Sequence, residues 1–119
     1  MRRRHAKRRH GHPSAKPAFR ASALCYAANC ALGAAVATRL IDTRRFRWVH
    51  HALYIATFSA TIVAVLVGLR RNRPAALALA PALAPLAVIP YAGTHTRRHP
   101  AIALTAAPFI AAGVITSRR

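Results

Sequence analysis

Residues 74–96 read PAALALAPALAPLAVIPYAGTHT, a stretch of 23 residues that contains no Asp, Glu, Lys or Arg. Every position from Ala75 to Pro90 is Ala, Leu, Pro, Val or Ile, so the segment has no polar stripe at helical spacing. A helix on the surface of a soluble core would carry such a stripe. About 20 consecutive apolar residues are long enough to span a bilayer core of about 30 Å. The stretch therefore predicts a transmembrane helix.

Three further stretches also lack Asp, Glu, Lys and Arg: residues 21–38, 48–69 and 99–117, which are 18, 22 and 19 residues long. Together the four stretches predict an all-α integral membrane bundle of four short transmembrane helices within a domain that covers residues 21–117. The helices are expected at about 22–39, 49–69, 75–91 and 100–117. A soluble bundle is the alternative, because three of the stretches are rich in Ala, which is nearly neutral towards lipid.

The charges of the chain are segregated from these stretches. The sequence holds 19 Lys and Arg against a single carboxylate, Asp42. Residues 1–20 carry eight of the cations, and their glycine and two prolines disfavour helix, so we expect a disordered polybasic tail. Such a tail suits the anionic headgroups of a bilayer. Nucleic acid is the less favoured partner, because no aromatic residue that could stack on bases lies among these charges before Phe19.

The distribution of cations among the loops predicts the orientation of the bundle. Lys and Arg collect on the cytoplasmic side of short loops. With the N-terminus inside, the cytoplasmic side would hold 13 cations and the opposite side 6. The prediction is therefore a cell-membrane protein with both termini in the cytoplasm. The Ala and Arg bias is typical of a GC-rich bacterial genome. Without residues 1–20 the loop charges give no preference.

The second hydrophobic stretch has the most specific internal pattern. Its four alanines and its glycine recur at every fourth position: Ala52, Ala56, Ala60, Ala64 and Gly68. Small residues in such a row let another membrane helix approach closely. We expect this alanine stripe to pack against a helix of the same chain or of a partner. The partner would be another membrane protein or a second copy of the chain.

Prolines inside the third and fourth stretches predict kinks. Pro81 and Pro85 fall within the third helix and Pro108 within the fourth. Each proline removes a backbone donor, and membrane helices tolerate this where neighbouring groups satisfy the freed carbonyl. The kinks are expected near Pro81 to Pro85 and near Pro108.

The first and third connections lie on the same side of a four-helix bundle and bring cations and histidines together there. The cations Arg44, Arg45, Arg47, Arg97 and Arg98 form a candidate face for an anion or a lipid headgroup. The histidines His50, His51, His95 and His99 form a speculative metal or haem site. His95 and His99 have the spacing of a helical ligand pair, but Pro100 disfavours helix at His99. Repulsion by the nearby arginines also opposes cation binding, so no cofactor is predicted.

No catalytic motif stands out in the sequence, and paired-acid chemistry is excluded by the single carboxylate. No acid lies in the middle of a hydrophobic stretch, where proton-coupled transporters keep their ion-binding residue. The sequence favours a non-enzymatic accessory or assembly subunit that acts through helix packing. Two alternatives are open: a small carrier or flippase for an anionic or lipid-linked substrate, and a haem- or metal-binding membrane subunit.

Overall fold

The fold is all-α in a computed structural model that describes residues 14–41, 44, 47–93 and 97–119. These residues contain no strand. They form four long helices: α1 (Lys16–Ala37), α2 (Arg47–Arg71), α3 (Arg73–Tyr91) and α4 (Arg98–Arg118). All four are long and apolar enough to cross a membrane, by length and composition. The prediction of an all-α chain with four such helices is therefore confirmed.

Helix α1 begins at Lys16, six residues before the sequence predicts, so residues 16–20 are helical and are not part of a disordered tail. Pro17 lies in the first turn, where a missing backbone N–H costs nothing because that group has no partner within the helix. The Lys16 N–H donates to Ser14 Oγ at 3.2 Å. The remainder of the predicted tail, residues 1–13, lies outside the described residues.

The end of α1 and the start of α3 are set by local hydrogen bonds. After Ala37 the chain turns through Arg39, whose φ of 56° is left-handed, and the Leu40 N–H donates to the Ala35 carbonyl at 2.9 Å. This is the hydrogen-bond pattern of a Schellman cap. Between α2 and α3 a single residue, Asn72, makes the turn, and its side chain accepts from the Ala75 N–H at 3.2 Å.

Helix α3 alternates between α-helical and 3₁₀-helical hydrogen bonding and changes type three times along its length. It is α-helical over Arg73–Leu79 and Leu83–Val88, and 3₁₀-helical over Ala80–Ala82 and Ile89–Tyr91. The two 3₁₀ segments contain Pro81 and Pro90, which cannot donate to the preceding turn. Pro85 lies inside an α-helical segment and does not interrupt it.

Helix α4 has a single interruption. It is α-helical over Arg98–Thr105 and Ala107–Arg118, with a turn at Ala106 between the two segments. Pro108 lies in the first turn of the second segment, so the break falls just ahead of the proline. This position agrees with the clash between a proline ring and the turn that precedes it.

The helices form a closed ring in which each contacts its neighbours in sequence. Helix α1 packs on α2, α2 on α3 and α3 on α4, and the segment Ala107–Arg118 returns to α1. The largest side chains that are completely buried are Phe19, Leu79 and Leu86. Alternation of direction along the ring places both ends of the described chain at the same end of the bundle.

Packing is uneven along the bundle. In α1 the buried residues are Phe19, Ser22 and Tyr26, and none follows Tyr26. In α2 no residue before Thr57 is buried, and the first segment of α4 buries none. We call the half that contains Phe19 the packed half, and the half that contains residues 27–37 of α1 the open half.

Candidate functional site

The alanine stripe of α2 lies only partly inside the bundle. Ala64 and Gly68 are buried, Ala56 and Ala60 are half-buried, and Ala52 is exposed. A Cβ added at Gly68 would lie 2.8 Å from Phe19 Cζ and 2.9 Å from Ala76 Cβ. The end of the stripe in the packed half therefore meets α1 and α3 of the same chain.

Two threonines on α2 share this packing face, and the sequence analysis did not single them out. Thr57 and Thr61 are fully buried, and their hydroxyls donate to the carbonyls of Leu53 and Thr57, each at 2.7 Å. Because the hydroxyl bonds within its own helix, each threonine presents a small, nearly apolar surface to its neighbours. Their spacing of four residues is the sequence feature that could have predicted their place on this face.

A hydroxyl pair joins α1 to α2 in the core. Ser22 Oγ lies 2.8 Å from Thr61 Oγ1, and both residues are fully buried. The single hydroxyl proton of Thr61 is already directed to the Thr57 carbonyl, so Ser22 is the donor in this pair. Such polar contacts fix the register of helices in an apolar environment.

Phe19 is the centre of the packed half, although the sequence analysis assigned it to the tail. Its ring would lie 2.8 Å from a Cβ at Gly68 and 3.4 Å from a Cβ at Gly113. Two glycines on different helices thus make room for one aromatic ring. The sequence feature that could have predicted its burial is its position, as a lone aromatic residue at the border between the basic tail and the first hydrophobic stretch.

Two tyrosine hydroxyls reach the helix breaks of α3 and α4. Tyr54 Oη donates to the Leu86 carbonyl at 2.8 Å, and Tyr26 Oη donates to the Ala103 carbonyl at 2.7 Å. In an unbroken α-helix the Leu86 carbonyl would accept from residue 90, which is a proline with no N–H. The Tyr54 hydroxyl therefore replaces the missing donor.

Of the four candidate histidine ligands, three lie in the described residues and come close together. The rings of His50 and His99 are 5.9 Å apart between centroids, and those of His50 and His51 are 6.5 Å apart. His99 Nδ1 is buried and has no hydrogen-bond partner in the part of the chain that is described. No group of three His, Cys, Asp or Glu there could hold a metal ion. His95 lies outside that part.

The candidate anion face is solvent-exposed. Arg44, Arg47, Arg97 and Arg98 are all exposed at the end of the bundle that carries these histidines. Arg45 lies outside the described residues. An exposed arginine gains less from an anion than one in a cleft, because water competes for the same donors.

A basic cleft lies at the opposite end, beside the packed half, and the sequence analysis did not identify it. Helix α1 begins there, α2 passes into α3 there, and α4 ends there. The cleft is lined by Ser14, Ala15, Lys16, Arg70, Arg71, Asn72, Ser117 and Arg119. The sequence feature that could have predicted the cleft is the concentration of cations at these helix ends.

The open half of α1 carries a polar atom without a partner. Asn29 Oδ1 is buried and accepts no hydrogen bond from any described residue. On the opposite side of the helix, Ala27, Ala31 and Ala34 are exposed, and a Cβ at Gly33 would have no atom within 4 Å. Comparisons of the chain with protein-family models, with curated proteins and with solved structures found no match.

Proposed function

We propose that the chain is a non-enzymatic accessory subunit of a larger membrane protein, held in the cell membrane with both termini in the cytoplasm. The open half of α1 would be its docking surface. The observation that carries this proposal is the face of Ala27, Ala31 and Ala34 on α1, which are small, exposed and on the side of the helix away from the bundle.

This exposed face of α1 suits close helix packing. Ala27, Ala31 and Ala34 are small and exposed, and Gly33 faces open space. Small side chains at spacings of three and four allow two backbones to approach, so dispersion contacts and interhelical hydrogen bonds can form. Residues 27–37 contain no charged side chain, so a partner helix could lie against them within the apolar layer.

Charge favours a different protein over a second copy of this chain as the partner. Helix α1 carries Lys16 and Arg20 near its start, and Arg39 follows its end. Two copies packed through α1 would bring these cations together, and the chain has one carboxylate with which to compensate. A partner with acidic residues at the ends of its transmembrane helix would pair with them instead.

Site-specific photo-crosslinking in intact membranes tests this proposal. A photoreactive residue at Ala31 should give one adduct with a discrete mass larger than that of a dimer of this chain. The same probe at Ala111 is the matched control, because Ala111 is an exposed alanine on α4, away from α1's open half. Ala27→Leu should abolish the Ala31 adduct by filling the space that the partner helix occupies.

The outcomes separate the alternatives. An adduct with twice the mass of the chain would show self-association and contradict the accessory function. Equal adducts from Ala31 and Ala111 would show random collision in the membrane.

The approach of His50 to His99 favours a second candidate function, that of a metal- or haem-binding membrane subunit. The unpartnered Nδ1 of His99 has a lone pair or a proton for which no described residue provides a partner. A transition metal would accept the lone pair from a neutral imidazole. Stoichiometric metal or a Soret band in the purified chain, lost on His99→Ala but retained on His51→Ala, would support this function.

A further inference from the structure

We infer that the first segment of α4, Arg98–Thr105, turns about the break at Ala106 and closes on α1, so that His99 donates a hydrogen bond to Asn29. We call this segment the arm. The closure concerns the interior of the open half, and it is independent of the docking surface on the outer side of α1.

Two buried side-chain atoms lack a hydrogen-bond partner among the described residues, and both lie in the open half: Asn29 Oδ1 on α1 and His99 Nδ1 on α4. An unpaired buried polar group is costly, and more so in an apolar environment. The two atoms are complementary, because an amide oxygen accepts a hydrogen bond and an imidazole Nδ1 that carries the ring proton donates one. A hydrogen bond between them would satisfy both.

The Tyr26 hydroxyl, which donates to the Ala103 carbonyl at 2.7 Å, sets the heights of these two residues in the bundle. Asn29 follows Tyr26 by three residues on α1. On α4, which runs antiparallel to α1, His99 precedes Ala103 by four residues. At a rise of about 1.5 Å per residue, the two residues therefore lie about 4.5 Å and about 6 Å beyond the contact, in the same direction. Spacings of three and four residues also place each of them on the helix face that makes the contact.

The break in α4 lacks one of the hydrogen bonds that stiffen a helix. Pro108 has no N–H, so the Leu104 carbonyl is without the donor that an unbroken α-helix would give it. The Ala106 N–H donates to the Ala103 carbonyl at 3.2 Å, which is the tighter 3₁₀ pattern. The part of α3 on which the arm packs is set off by a 3₁₀ segment of its own, Ala80–Ala82. Both helices can therefore bend near the border between the two halves.

The arm is also loosely packed. It has no buried residue, whereas the segment that follows it, Ala107–Arg118, contributes buried residues to the packed half. Ala107–Arg118 packs along α1, and the arm reaches α1 through the Tyr26 hydroxyl. The ring of His99 lies 5.9 Å from that of His50, and its Nδ1 makes no hydrogen bond to it. Little packing therefore holds the arm away from α1.

Distances between spin labels on the purified full chain in lipid nanodiscs test the closure. The labels are attached at Ala31 and Ala101, exposed alanines on α1 and on the arm, after the two native cysteines are replaced by alanine. They should report two distances, a shorter one from the closed arm and a longer one from the open arm. Asn29→Leu and His99→Leu should each lower the ratio of the shorter to the longer distance about fivefold or more, because each removes the buried hydrogen bond of the closed state.

Two controls make the outcome specific. His51→Leu removes an exposed histidine at the same end of the bundle and should change the ratio by no more than about twofold. Labels at Ala21 and Ala111 span the same two helices in the packed half, and a single distance there in every variant shows that the bundle stays folded. A single distance between the labels on α1 and the arm would overturn the proposal. So would a ratio that Asn29→Leu and His99→Leu change no more than His51→Leu does.

Discussion

At the scale of single residues, one aromatic ring organises the packed half. Phe19 is 1% exposed and lies against two glycines, Gly68 on α2 and Gly113 on α4. Both glycines occupy positions where any side chain would collide with a neighbour. Gly33 is the opposite case, since a Cβ there meets nothing within 4 Å. The effects of alanine substitution at a crowded glycine and at an open glycine can therefore be compared directly.

Gly68→Ala should destabilise the bundle by about 1–3 kcal/mol, because the new methyl group lies 2.8 Å from Phe19 Cζ and 2.9 Å from Ala76 Cβ. Gly33→Ala is the matched control, and it should be neutral or stabilising by up to about 1 kcal/mol, since alanine favours helix. Thermal unfolding in detergent, followed by circular dichroism, measures both. A Gly68→Ala variant as stable as Gly33→Ala would contradict the assignment of Phe19 to the core.

At the scale of the helices, a tyrosine compensates for a proline. Tyr54 on α2 donates to the Leu86 carbonyl, which Pro90 on α3 leaves without its usual donor. In an apolar environment an unsatisfied carbonyl is costly, so the proline and the tyrosine depend on one another. The sequence predicts that neighbouring groups satisfy such carbonyls, and for Leu86 that neighbour is Tyr54.

A double-mutant cycle tests this dependence. Tyr54→Phe alone should cost about 1–3 kcal/mol, the price of leaving a buried acceptor unsatisfied. Tyr54→Phe in a Pro90→Ala background should cost less, because residue 90 then supplies its own N–H to Leu86. Tyr91→Phe serves as the control, since Tyr91 is 88% exposed. Additive effects of the two substitutions, measured by thermal unfolding in detergent, would refute the coupling.

The sequence predicted the positions of the helices well. It predicted less well which residues lie on the packing face of each helix. Stretches without charged residues predicted four helices and most of their ends, because the composition of a segment determines whether it can be buried in an apolar medium. The start of α1 was misplaced because Pro17 was taken as a helix breaker, whereas a proline in the first turn is compatible with helix. The packing face of α2 includes Thr57 and Thr61, which look polar in the sequence but bond within their own helix.

The candidate sites were harder to predict, since each depends on residues that are distant in sequence. The approach of His50 to His99 was expected from the common side of two connections. The basic cleft was not expected, because Lys16, Arg70 and Arg119 meet only when α4 closes the ring on α1. No spacing along the chain encodes that closure.

At the scale of the whole molecule, the ring of four alternating helices places Ser14 and Arg119 at one end of the bundle. With the cations of residues 1–20 counted, the positive-inside rule predicts that this end faces the cytoplasm. Reporters fused before Met1 and after Arg119 should both be active in the cytoplasm. A reporter inserted after Arg39 should be active only outside. A C-terminal fusion that is active outside would contradict the orientation. Retention in the membrane fraction after alkaline washing is the accompanying check of insertion.

The scarcity of acidic side chains has a consequence for behaviour in acid. Most proteins denature at low pH because carboxylates that hold ion pairs in the native state become protonated. No described residue of this bundle is Asp or Glu, so acidification has no such pair to break there. Histidines are the side chains that gain positive charge in acid, and the rings of His50 and His99 lie 5.9 Å apart at the end of the bundle away from Phe19. Acid should therefore loosen the end that carries these two rings before it affects the tightly packed region around Phe19.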